Sequence, residues 1–95
     1  MSWLDELSVT RGASREEIYE SVKKVMQKEF SFSDDELALS RHLVDDLDFD
    51  SIDAIDLAVR LEELTGLEIG EQQLKSLVTV GDIVELVYAS LEREH

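Results

Sequence analysis

Asp50-Ser51-Ile52-Asp53-Ala54-Ile55-Asp56-Leu57-Ala58-Val59-Arg60-Leu61-Glu62-Glu63-Leu64-Thr65-Gly66 is the stretch on which the fold turns. Its apolar residues recur at helical spacing and Thr65-Gly66 supplies a stop, which predicts a helix over 51–64. Projected at about 100° per residue, this helix carries two apolar stripes. Ala54, Leu57, Leu61 and Leu64 fall together and should face a core. Ile52 and Val59 fall on the other side, among Asp56, Glu62 and Glu63, and are expected to be exposed. Ile55 stays open between core and surface. Aliphatics ringed by carboxylates have the pattern of a docking surface, with an apolar centre and a charged rim.

The helix begins where one hydroxyl, Ser51, stands between the carboxylates of Asp50 and Asp53. Unpaired amides and the positive dipole end gather at a first turn, a setting that favours an anion. The neighbouring carboxylates oppose it, so a phosphodiester attached there would have to point outward. Such a serine is a poor nucleophile and a good substrate, presented on an acidic handle to an enzyme that modifies it. The competing reading makes Ser51, or Asp50 beside it, only a helix cap.

Working outward, Ser14-Arg15-Glu16-Glu17 is a capping box that opens an earlier helix, with Ile18, Val22, Val25 and Met26 on one stripe. Lys23, Lys24 and Lys28 lie toward its C-terminal end, where the dipole favours cations. Periodicity breaks over 31–50, a long connection of the kind that is often functional. Ser33-Asp34-Asp35-Glu36 suggests a second capping box with a short turn over 35–39. Leu39, Leu43, Val44 and Leu47 are expected to pin the loop to the core. Beyond Gly66, residues 67–69 read as extended and 71–76 as a short helical segment. Thr79 caps a last helix with Asp82 as its partner, and Val80, Ile83, Val84, Val87 and Leu91 form the buried stripe. The expectation is a small all-α four-helix bundle, three principal helices plus one short one, in a domain over 14–93. Residues 1–13 read as an extension, a mobile tail or else a docked turn through Trp3, Leu4 and Leu7.

Composition narrows the function classes. The chain has 95 residues, enough for one small domain. With no cysteine, disulfides, thiolate metal sites and cysteine nucleophiles are excluded. No stretch approaches a membrane span, and acids stand where a signal peptide would be basic, so a cytoplasmic protein is expected. A net charge of −14 argues against nucleic acid and anionic membranes and for basic protein partners. The acids concentrate between Asp45 and Glu71, against one base, Arg60. A monomer is expected.

Two catalytic or metal readings fail. Asp46-Leu47-Asp48-Phe49-Asp50 has the alternating aspartates of a calcium loop, but the sixth position is Ser51 and the twelfth Leu57, where glycine and glutamate are needed. Weak divalent binding to clustered carboxylates is all that remains, and no metal site is assigned. A serine hydrolase needs a base and an oxyanion hole. The histidines are His42, in the long connection, and His95, the last residue, and nothing marks the other parts. No catalytic residue is assigned. The remaining rival is an acidic interaction module that is never modified, using the same surface with Ser51 as a cap.

The run from Asp50 to Leu57, followed by Leu61-Glu62-Glu63, resembles the acyl carrier protein signature, Asp-Ser-Leu-Asp-x-Val-Glu-Leu and then Leu-Glu. Leu67-Glu68-Ile69 and Thr79-Val80-Gly81-Asp82 match the same family at its usual spacing, so the resemblance covers about 14–91. It implies a 4'-phosphopantetheine arm on Ser51, transferred from coenzyme A by a phosphopantetheinyl transferase, whose thiol carries acyl groups as thioesters. It also implies that Asp50, Ile52, Asp53, Asp56, Val59, Glu62 and Glu63 meet basic grooves on acyl-chain synthases and modifying enzymes. Leu57, Leu61, Val80 and Val84 would line a cleft for the acyl chain. The family usually has glycine two residues before the aspartate-serine pair, where this chain has Asp48 followed by Phe49. That departure suggests a specialised carrier rather than a housekeeping fatty-acid one. Carriers of aryl-polyene-like and related polyketide-type pathways look similar here.

Overall fold

The computed structural model describes residues 12–93. Among these described residues four α-helices follow one another: α1 (Arg15–Phe30), α2 (Ser51–Thr65), α3 (Glu71–Lys75) and α4 (Val80–Arg93). One 3₁₀ turn, Asp35–Leu37, interrupts the long connection between α1 and α2. The expected tail or docked turn through Trp3, Leu4 and Leu7 lies outside the described residues, as does His95. Among the described residues no helix is long and apolar enough to cross a membrane.

Each long helix is bounded by local chemistry that the sequence spells out. Ser14 caps α1, its hydroxyl accepting from the Glu17 amide (3.1 Å) while Glu17 accepts from the Ser14 amide. α1 ends at Ser31 in a left-handed conformation (φ 60°), its amide donating to the Gln27 carbonyl. α2 ends at Gly66 (φ 73°), whose amide donates to the Glu62 carbonyl at 2.7 Å. Thr79 and Asp82 form the expected reciprocal pair at the start of α4. The second expected box is different. The Ser33 amide donates to Glu36 (2.9 Å), which holds the Glu36 carboxyl below its ordinary range, but the Glu36 amide returns to the Ser33 carbonyl. The result is a 3₁₀ turn over 35–37, inside the short turn expected over 35–39, without the reciprocal side-chain cap.

The core is built from the predicted stripes. Ile18, Val22, Val25 and Met26 of α1 meet Leu57, Leu61 and Leu64 of α2 and Val80, Ile83, Val84, Val87 and Leu91 of α4. α1 packs most extensively against α4, with α2 closing the third side. Lys23 is the charged residue in this interior, held by Asp34 at 3.0 Å and Glu20 at 3.2 Å over the Tyr19 ring. Hydrogen bonds to Asp34 and then Glu20 raise its pKa. This tether ties α1 to the long connection.

The long connection is zipped to the approach of α4 by main-chain bonds. The Leu43 amide donates to the Val78 carbonyl (2.8 Å), Val80 to Arg41 (3.1 Å) and Gly81 to Leu39 (2.9 Å), with a bridge between His42 and Thr79. This geometry corrects two expectations about the loop. Leu43 and Leu47 are buried, but Leu39 is 49% exposed and Val44 66% exposed. Residues 43–47 form a turn closed by the Asp46 and Leu47 amides, which both donate to the His42 carbonyl; Leu43 and Leu47 lie on its inner side and Val44 on its outer side. Leu39 anchors through its carbonyl instead. A Cβ on Gly81 would sit 3.1 Å from that carbonyl, and this close approach is what the glycine permits.

Asp48 occupies the left-handed region (φ 56°), the conformation that glycine adopts without penalty. Asp48→Val is therefore expected to lower stability by about 1–2 kcal/mol, and Asp48→Gly to keep or raise it. Thermal melts of the three proteins check this, and equal melting temperatures for valine and glycine variants would disprove the strain.

Candidate functional site

Asp50, not Ser51, caps α2. Its carboxylate accepts from the Asp53 amide at 2.9 Å, and the Asp53 carboxylate accepts from the Asp50 amide at 3.3 Å. Ser51 is thus the first helical residue, exposed, with its hydroxyl bonded to no described residue. The cap-only reading of the serine is answered at this point: the cap is complete without it. An open hydroxyl at a helix start, among amides that lack intrahelical partners, fits an attached phosphate.

Ser51 stands at the mouth of an apolar cleft of about 370 Å³. One wall is α2, through Ala54 and Leu57. The opposite wall is α3 and its exit, through Leu74, Lys75 and Leu77, and the long connection closes the rest with Leu43, Val44 and Phe49. Of the expected lining residues only Leu57 is present. Leu61 and Val80 are sealed in the helix core, and Val84 faces a different hollow beside Arg15 and Tyr19. The cleft lies between α2 and α3, beside the filled core of the three long helices, where the short helix covers the loop.

The residues that sequence reasoning missed are Leu43, Val44, Phe49, Leu74 and Leu77. The signal that could have found Phe49 is its neighbour, an aspartate in a glycine position, which re-aims the chain just before the serine.

From Ser51 an exposed stripe runs along α2. Ile52 is 70% exposed, Ile55 59% and Val59 42%, with Asp56 and Glu63 alongside. Ile55 therefore belongs to the surface. Not every acid on this helix is equally available. Asp50 and Asp53 serve in the cap, and Glu62 is half-buried with a carboxylate oxygen accepting from the Ile69 amide at 2.8 Å. Arg60, the lone base of the acidic stretch, bridges Glu29 of α1 (2.9 Å) and Glu63 (3.0 Å). His42 is exposed, with its imidazole 3.6 Å from Asp45, and makes no hydrogen bond to Ser51. Among the described residues no pair of Ser51 with a histidine forms.

Comparison with known proteins agrees with this arrangement. Residues 20–87 match the family model described as "Phosphopantetheine attachment site". Acyl carrier protein 2 of Ralstonia nicotianae is 40% identical over 75 residues, covering 79% of this chain and 93% of that protein. The acyl carrier protein of Thermotoga maritima is 34% identical over 79 residues, 83% of this chain and 98% of the relative. The solved structure of the acyl carrier protein from Enterococcus faecalis superposes with a TM-score of 0.68 at 28% identity, covering 82% of this chain and 99% of that one. The chain belongs to the acyl carrier proteins, a family of carriers rather than catalysts that hold 4'-phosphopantetheine on a serine.

Proposed function

We propose that Ser51 is the attachment point, and that the carrier presents acyl thioesters to biosynthetic enzymes through the exposed face of α2. The observation that carries this reading is the position of the Ser51 hydroxyl, free of the cap and open at the mouth of the apolar cleft. The arm supplies a thiol that a chain without cysteine lacks. The chain's own part is to offer the serine oxygen on a rigid helix end, to dock the visiting enzyme and to shelter what the arm carries. The serine oxygen bonds to the pantetheine-side phosphorus of coenzyme A as the pyrophosphate bond breaks, adenosine 3',5'-bisphosphate leaves, and the serine proton passes to a base on the transferase.

Docking in this reading uses Ile52, Ile55 and Val59 as the apolar centre, with Asp56 as the freest rim charge and Glu63, paired with Arg60, beside it. Asp50, Asp53 and Glu62 contribute charge while holding the helix start and the following turn in place. A basic groove on the partner complements this surface. Asp48-Phe49 before the attachment serine supports a specialised pathway of polyketide or aryl-polyene type over housekeeping fatty-acid synthesis; the cytoplasm is the compartment proposed for it.

Incubation with coenzyme A and a broad-specificity phosphopantetheinyl transferase should add one phosphopantetheine to the intact mass. A folded protein that stays unmodified with several transferases would instead make it an acidic interaction module. For docking, Asp56→Lys is the cleanest reversal, because Asp56 is exposed and outside the cap. It should raise the KM of the transferase about tenfold, equivalent to about 1.4 kcal/mol, with an unchanged melting temperature. An unchanged KM would remove Asp56 from the contact.

A further inference from the structure

Phe49 is the cleft residue whose placement depends most on this chain's own peculiarities. The left-handed turn at Asp48 redirects the backbone, and the Phe49 amide then donates to the Leu43 carbonyl at 2.9 Å. The ring is buried and forms part of the cleft wall beside Ser51. Two more aromatics, neither of them in the cleft lining, pack with it. The Phe30 ring centroid is 4.9 Å away, and Phe32 lies at 6.1 Å with its plane within 17° of parallel. Phe30 and Phe32 are themselves 6.1 Å apart, so the three rings form a closed cluster. These separations fall in the favourable range for aromatic pairs. Moving the Phe49 ring aside would forfeit both partners, whereas an unbranched aliphatic at this place could yield by rotating.

The cleft thus has one wall that does not give way. The cleft measures about 370 Å³. Part of that space lies at the open mouth and would be taken by the thioester end of the arm.

We propose that Phe49 is a specificity-determining residue that limits the length of acyl chain this carrier can shelter, confining it to short chains. Longer chains meet the Phe49–Phe30–Phe32 cluster and leave their ends in solvent. The inference rests on attachment at Ser51 and deepens that reading by naming the class of cargo.

The test uses the holo-protein loaded with butanoyl, octanoyl, dodecanoyl and hexadecanoyl groups, each confirmed by intact mass before melting. In the wild type the melting temperature should rise from butanoyl to octanoyl and then stay level. In Phe49→Ala, and in the milder Phe49→Leu, the rise should continue to dodecanoyl. If Phe49→Ala fails to fold, Phe49→Leu carries the comparison, since it keeps an apolar side chain of moderate size. A break at the same chain length in Phe49→Leu and wild type would overturn the proposal, as would a wild-type rise that continues unchanged to hexadecanoyl. Failure of the mass to increase is a separate result, which overturns attachment itself.

Discussion

Ser51→Ala is expected to abolish covalent loading completely while leaving the melting temperature essentially at its wild-type value. The two effects separate because Asp50 and Asp53 close the helix start between themselves. The serine contributes no bond to the fold, and alanine at a first-turn position is at least as favourable for a helix as serine. Asp50→Ala should do the reverse. It removes a carboxylate that accepts a first-turn amide, a loss of about 1 kcal/mol, which corresponds to a fall of roughly 4–8 °C in a domain of this size. Its serine remains open to the transferase, so an adduct should still form. Intact mass and thermal melts on both variants check the pair. An adduct on Ser51→Ala would move the attachment point elsewhere, and a large loss of stability in that variant would return the serine to a structural role.

Leu61→Ala should produce the largest loss of stability available from one side chain on α2, about 2–5 kcal/mol. Leu61 is fully buried where α2 closes against α1 and α4. The three helices are already packed on one another, so the vacated volume cannot be refilled without shifting α2. A small domain has total stability of about 5–15 kcal/mol, so the variant should melt more than about 10 °C below the wild type. Val59→Ala, two residues away on the exposed stripe, should change stability by less than about 0.5 kcal/mol. Chemical denaturation of the two variants measures both. Similar losses for the two would mean that α2 does not divide its faces in the way described.

That division was legible in the sequence for a physical reason. Leu57, Leu61 and Leu64 recur every three or four residues, and Ile52, Ile55 and Val59 recur on the opposite side, so helical geometry alone sorts them. The caps were equally legible, because Ser14 with Glu17 and Thr79 with Asp82 act across a single turn. Ile55 was ambiguous because periodicity places it on a stripe but does not say whether another segment covers that stripe. The long connection leaves it bare. Leu39 and Val44 were misread for a related reason: apolar character suggests burial, but main-chain pairing with the approach to α4 and the turn over 43–47 decide which side chains point inward.

By itself the sequence determined the helices, their ends, their core faces and the serine that opens α2, since each follows from interactions within a few residues. It also carried the motif that marks the family. The Asp50–Asp53 cap is local too, acting across one turn, although periodicity by itself did not choose between Asp50 and Ser51. Only the tertiary structure decided where the cleft lies. Leu43, Leu57, Leu74 and Leu77 come from separate segments, and no local pattern brings them to one hollow. The same is true of Phe30, Phe32 and Phe49, which the fold gathers into one wall. Their meeting depends on how the long connection is zipped to α4 and on one left-handed residue, Asp48, both properties of chain packing rather than of sequence period.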